Sequence, residues 1–118
     1  KLMGFDDDEQ IYVCDIVNFE SEWRVYVQNN QIKVICNYKG NPTSFPNTRV
    51  IENMIYDFQG PCCYVLDVGI LYNSNTALVE FNDFYSIGNY GLFPEIYAEM
   101  LIQRWTELKN TTPIKVKL

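Results

Sequence analysis

The run Tyr64-Val65-Leu66-Asp67-Val68-Gly69-Ile70 sets one carboxylate inside an otherwise apolar stretch. Burying an unpaired carboxylate is expensive, so a residue placed there needs a partner or a ligand. Thirteen positions later comes Glu80, with Asn82 two further along, in Leu78-Val79-Glu80-Phe81-Asn82-Asp83. Alternate side chains of a strand share a face, so Glu80 and Asn82 point the same way. If the two runs pair as a hairpin through Asn73-Ser74-Asn75, Asp67 comes opposite the Glu80 end and three oxygen-bearing side chains converge. Oxygen-only donors of this kind suit Mg2+ or Mn2+, with water and substrate phosphates completing an octahedron. The spacing also admits a plainer reading, in which these residues face solvent on the open side of a sheet. The absence of His excludes the Ser-His-Asp triad, the Cys-His dyad, HExxH zinc sites and any imidazole pH switch. Chemistry here must run on carboxylates, Lys, Arg, Tyr or Cys.

The elements that would hold these residues can be read from pattern and breakers. Ile11 to Val17 is β-branched and apolar enough for a buried strand. Trp23–Val27 and Gln31–Cys36 read as two more strands, joined where Asn29-Asn30 can take the positive φ of a two-residue hairpin. After the Gly40-Asn41-Pro42 and Pro46-Asn47-Thr48 breakers, Val50, Ile51, Met54, Ile55 and Phe58 recur at helical spacing, and the helix stops at Gly60-Pro61. Cys63–Leu71 and Thr76–Phe81 read as a hairpin. Gly88, Asn89 and Gly91 mark an irregular loop, and Pro94 opens a helix over Glu95–Leu108 whose Ile96, Met100, Leu101, Trp105 and Leu108 share a face. The tail 112–118 is short and basic, with a last strand at Ile114–Leu118. The expected fold is therefore α+β, an antiparallel β-sheet covered on one face by two helices.

At 118 residues the chain suits a single domain over 1–118, and 47% apolar residues exclude global disorder. Nine basic against fifteen acidic residues give −6, which would repel a phosphate backbone, so nucleic acid is not an expected partner. No apolar stretch approaches the roughly 20 residues that cross a bilayer, and the opening residues contain no signal-type segment. Cys14, Cys36, Cys62 and Cys63 contain no CxxC spacing and read as buried free thiols in a reducing compartment. The expected location is cytoplasmic.

The strings LDVG and LVEFND, with Asp67, Glu80 and Asn82, resemble the magnesium-binding Asp…Glu-x-Asn signature of the ATP-grasp superfamily. Ser21-Glu22-Trp23-Arg24-Val25-Tyr26-Val27 is similar to the Glu-x-Arg strand that follows the adenine-binding hinge there. Tyr64 to Gly69 with Ser86-Ile87-Gly88-Asn89-Tyr90-Gly91 is similar to a small clade of ATP-grasp proteins common in bacteriophages and bacteria, and Lys1-Leu2-Met3-Gly4-Phe5 resembles the lysine-bearing stretch that ends that clade's first half. The resemblance runs over nearly the whole chain. It implies the C-terminal subdomain of an ATP-grasp fold and an ATP- and Mg2+-dependent carboxylate–amine ligase, in which an acylphosphate is attacked by an amine. Asp67, Glu80 and Asn82 would hold Mg2+ (or Mn2+), and Arg24 would contact phosphate or acylphosphate, where a planar, permanently charged fork suits the oxygens. Glu22, or Asp15, would accept from ribose, the backbone of Asp15, Ile16 and Val17 would read adenine, and Lys1 would reach the phosphates.

Each residue also has a plainer reading: Arg24 can pair with Glu22 or a cross-strand acid, Lys39 can be a solvated loop cation, and Trp23, Tyr85, Tyr90 and Trp105 can be core or rim aromatics. The expected ATP-grasp clamp has a second lobe and a preceding substrate domain, which this stretch does not contain. Two functions are open on this reading. One is a portion of a ligase acting on a small carboxylate and amine. The alternative is a free-standing, non-catalytic remnant that binds a protein, for example a phage-encoded inhibitor.

Overall fold

A computed structural model describes residues 17–111. Four strands form an antiparallel sheet in the order β2-β1-β3-β4: β1 Ser21–Gln28, β2 Gln31–Gly40, β3 Cys63–Ile70 and β4 Thr76–Asp83. Helix α1 (Thr48–Phe58) lies between β2 and β3 in the chain, and α2 (Pro94–Thr111) follows β4 after a short 3-10 turn at Phe84–Ser86. The α+β class, the antiparallel pairing and both hairpins are as the pattern predicts. The strand and lysine expected at Ile11–Val17 and Lys1, most of the adenine-reading stretch (Asp15 and Ile16), Cys14, and the strand expected at Ile114–Leu118 lie outside the described residues.

Local chemistry accounts for the boundaries. Asn29 and Asn30 take φ of 51° and 63° at the first hairpin, a left-handed pair that asparagine tolerates. Asn47 caps α1, its side-chain oxygen accepting from the amides of Arg49 and Val50 at 2.9 and 3.3 Å. Gln59 ends the helix in the left-handed conformation, one residue before the Gly60-Pro61 pair.

The helices do not share a face of the sheet. Trp23, Val25 and Val27 of β1 and Tyr64, Leu66, Val68 and Ile70 of β3 pack with Ile51 and Ile55 of α1. Tyr26, Cys63 and Val65, whose side chains point the other way along the same strands, pack with Phe84, Leu92 and Met100 of the α2 side. The helices thus cover opposite faces, and the expectation of two helices on one face is corrected. The physical reason is visible in β3, where all eight residues are buried. A strand apolar on both sides requires a cover on each.

Helix α2 is fixed at its far end by charge. Arg104 donates to both oxygens of Asp83 at 2.8 and 2.6 Å and to Glu107 at 2.7 Å, and Glu107 accepts from the Cys62 amide at 3.0 Å. Arg104 thereby takes an inward position, while Trp105 leans on Tyr85 at the rim, 6.0 Å between ring centres. Cys36, Cys62 and Cys63 are free thiols. Among the described residues no helix is long and apolar enough to cross a membrane.

Candidate functional site

The registers across the sheet build one charged row. Arg24 on β1 faces Asp67 on β3, and Asp67 faces Glu80 on β4. Val65 faces Asn82, so Glu80 and Asn82 lie on the Asp67 face, the side that also carries α2. Asp67, Glu80, Asn82 and Arg24 are therefore brought together across three strands, as the spacing predicts. A bulge on β4 beside the Asp67–Glu80 pair carries the ladder past Val79 and leaves Glu80 in register with Asp67.

Arg24 grips Asp67 with both arms of its fork: Nε to Oδ1 and Nη2 to Oδ2, each 2.9 Å. Asp67 is 1% exposed, so the plainer reading of it as a solvent-facing position fails. Its partner is the cross-strand arginine. The hydrogen bond to Asp67 outweighs burial and raises the Arg24 pKa, and the Asp67 charge adds to this, so the guanidinium stays charged. Glu80 is exposed, and its Oε2 accepts from the Asn82 amide nitrogen at 3.1 Å.

A bulge between β1 and β2 at Glu22–Trp23 inserts Tyr38 into the row. Tyr38 donates its hydroxyl to Glu22 Oε1 at 2.9 Å, and the Arg24 guanidinium lies 5.5 Å from its ring centre, a cation–π contact. Burial, then the bond to Glu22 and the nearby Asp67 charge, push the Tyr38 hydroxyl above its ordinary range. Lys39 Nζ stands 3.7 Å from Glu22 Oε2 with 72% of its side chain exposed. Sequence reasoning misses Tyr38 because a bulge leaves no hydrophobic signature.

The flanks of this face are also defined. Glu22 registers with Gly69, where a Cβ would strike the Phe19 ring at 2.3 Å, so Phe19 crosses the face at that end. Val17, two residues earlier, is exposed and belongs to no helix or strand. At the other end the buried Tyr26 hydroxyl accepts from the Tyr90 amide at 2.9 Å and lies 3.2 Å from the Tyr90 carbonyl oxygen, pinning the Gly88–Gly91 loop over the sheet. A separate cleft of about 550 Å3, between α1 and the β1–β2 hairpin, is lined by Asn30, Ile32, Glu52, Ile55, Tyr56 and neighbours. No member of the charged row lines it.

The donor chemistry of the row fits a magnesium ion. Two carboxylates on paired strands and one amide oxygen are a hard, oxygen-only set, and Mg2+ is commonly held by one or two carboxylates, the rest of its shell being water and phosphate. Among the described residues no three His, Cys, Asp or Glu side chains group closely enough to hold a metal by themselves. Two carboxylates leave positions open for phosphate oxygens. Lys1, Asp15 and Ile16 lie outside the described residues, so the nucleotide-contacting set is represented here by Val17 and Glu22.

A family described as an ATP-grasp domain, the second family of its clade, matches residues 1–100. Among solved structures, Cdc123 from Schizosaccharomyces pombe aligns with 88% of this chain and 41% of its own, at 17% identity and a TM-score of 0.47. A C-terminally truncated form of the same protein aligns with 86% and 40%, at 18% identity and a TM-score of 0.45. The chain thus spans about two-fifths of the length of those structures. No curated protein matches it.

Proposed function

The chain belongs to this ATP-grasp domain family, and from that premise we propose that it is part of an ATP- and Mg2+-dependent carboxylate–amine ligase. In this reaction the terminal phosphoryl group of ATP passes to a substrate carboxylate with departure of ADP. An amine then attacks the acyl carbon, and phosphate leaves.

The observation that carries the reading is the row itself: Arg24 against Asp67, Asp67 opposite Glu80, and Asn82 on the same face. Asp67, Glu80 and Asn82 would hold Mg2+, which when bound offsets charge on the phosphoryl group in transfer. Arg24 presents a planar fork suited to phosphate or acylphosphate oxygens. Glu22, fixed by Tyr38, would accept from ribose, and the backbone from Asp15 to Val17 would read adenine. The test is calorimetry of ATP binding to the full-length protein with and without Mg2+. Binding should require the metal and be lost in Glu80→Ala; full binding by that variant refutes the assignment.

A second reading, a non-catalytic ATP-grasp remnant that docks on a protein, draws on one observation. Ile102 and Trp105 of α2 lie beyond the matched residues and are exposed beside Tyr85. It predicts that Glu80→Ala leaves biological activity intact while Trp105→Ala abolishes it.

A further inference from the structure

Asp67 has no spare acceptor facing Arg24, because each carboxylate oxygen already takes one guanidinium N–H at 2.9 Å, and its side chain retains only 2% of its surface. The same oxygen pair is what a metal on this row would need. Glu80, in register with Asp67 on the next strand, is exposed and bound only within its own strand, to Asn82, so it is the open half of the donor set. Arg24 has a second hold that does not involve Asp67, the ring of Tyr38, which Glu22 fixes from behind.

The balance of charge on the row depends on the metal. With Arg24 on Asp67, the Arg24–Asp67–Glu80 triad sums to −1 and repels a phosphate. Two positive charges placed between Asp67 and Glu80 neutralise both carboxylates and leave the guanidinium uncompensated on the aromatic ring. The same three side chains then carry +1, a receptor for an anion.

We propose that Arg24 is a resident counter-ion which a divalent cation displaces from Asp67, so that metal entry is the event that frees the guanidinium for an anionic ligand. This rests on the reading of the row as a magnesium–nucleotide site. Metal and arginine are competitors in the free protein, and metal and phosphate become cooperative through Arg24.

The experiment titrates the full-length protein with Mn2+ alone, following free Mn2+ by electron paramagnetic resonance, in the unaltered protein and in Arg24→Met. Removing the competitor should tighten Mn2+ binding about tenfold, within the usual range for coupled sites, whereas a residue that only contacts phosphate leaves Mn2+ affinity unchanged. Because Arg24→Met also orphans a buried carboxylate, a second measurement uses the unaltered protein. The Arg24 Nε–Hε resonance should shift with Mg2+ in the absence of nucleotide as the bond to Asp67 is given up. If the unaltered protein binds Mn2+ together with ATP, but Arg24→Met gains no affinity for Mn2+ and the Nε–Hε signal stays fixed, the exchange is overturned and the ligase reading stands. If the unaltered protein binds no Mn2+ even with ATP, both are overturned.

Discussion

Arg24 and Asp67 differ in burial, and that asymmetry makes a quantitative prediction about stability. The Arg24 side chain retains 21% of its surface and that of Asp67 2%. Arg24→Met therefore strands a carboxylate in the middle of β3, where every neighbour along the strand is buried. Orphaning a buried charge in this way costs about 3–5 kcal/mol. Asp67→Leu strands the better-solvated partner, which keeps the Tyr38 ring and a path to water, so the loss is nearer the roughly 1.5–3 kcal/mol assigned to hydrogen bonds with charged groups. Replacing both removes the buried charge with its partner, and the double variant should be more stable than Arg24→Met alone. Urea unfolding followed by the fluorescence of Trp23, a core residue at 5% exposure, reads these differences as midpoint shifts at constant slope. Equal losses for the two single variants, or a double variant that simply adds them, would refute the idea that a desolvated Asp67 controls this row.

Other outcomes follow from the same structure. The Arg104 bonds hold the Asp83 carboxyl below its ordinary range, against burial, which acts to raise it. A lowered native pKa stabilises fully above the unfolded value of about 3.9 and loses its effect as pH falls through the native one. Arg104→Met should thus cost about 1–3 kcal/mol at pH 7, with the gap to the unaltered protein closing in acid; a gap unchanged at pH 2 contradicts this. Burial, then the adjacent Cys62, pushes the Cys63 thiol up to about 12, so a disulfide reagent at pH 8 should label Cys63 only on unfolding, and fast labelling of the native protein counts against its burial. Gly91 has φ +105°, and a Cβ there would lie 2.3 Å from Cys36 Sγ. Gly91→Ala should destabilise by about 1–3 kcal/mol from backbone strain alone, and Cys36→Ala should relieve the clash but not the strain, which thermal unfolding of the double variant would separate.

The parts of the fold that are legible in the sequence are those written in local chemistry. Asn29-Asn30, Asn47, Gly60-Pro61 and Pro94 mark turns and helix ends through their own backbone preferences, and the structure puts the boundaries within a residue or two of them. The Asp67–Glu80 register is legible because hairpin pairing and strand alternation are local rules. The face each helix covers is not, since the burial of β3 on both sides emerges only when two separate clusters close on it. Helical spacing puts Trp105 inside with Met100 and Leu101, yet Arg104 occupies the inward place because Asp83 and Glu107 supply its counter-charges. Tyr38 escapes notice for a related reason: a bulge, which no periodicity announces, turns it toward Arg24.

The division of the two faces explains how one small sheet carries both a core and a charged row. On the α1 side apolar residues run the length of β1 and β3, from Trp23 and Ile70 to Val27 and Tyr64. On the other side the apolar cover spans only Tyr26, Val65 and Cys63, under Met100 and Phe84. Arg24, Asp67 and Glu80 begin one pleat further along those strands, at the register where that cluster ends. A carboxylate at that boundary sits on a rigid strand with apolar support beneath it, yet keeps polar neighbours above it. Pre-organisation of that kind suits a site that must hold charged groups in fixed positions before a ligand arrives. Moving the row one pleat toward Tyr26 would bury it under α2, and one pleat the other way would carry it to Glu22 and Gly69, where Phe19 crosses the sheet. Its position is therefore set by where α2 stops covering the sheet, which ties the length and anchoring of that helix, through Arg104 and Asp83, to the accessibility of Asp67 and Glu80.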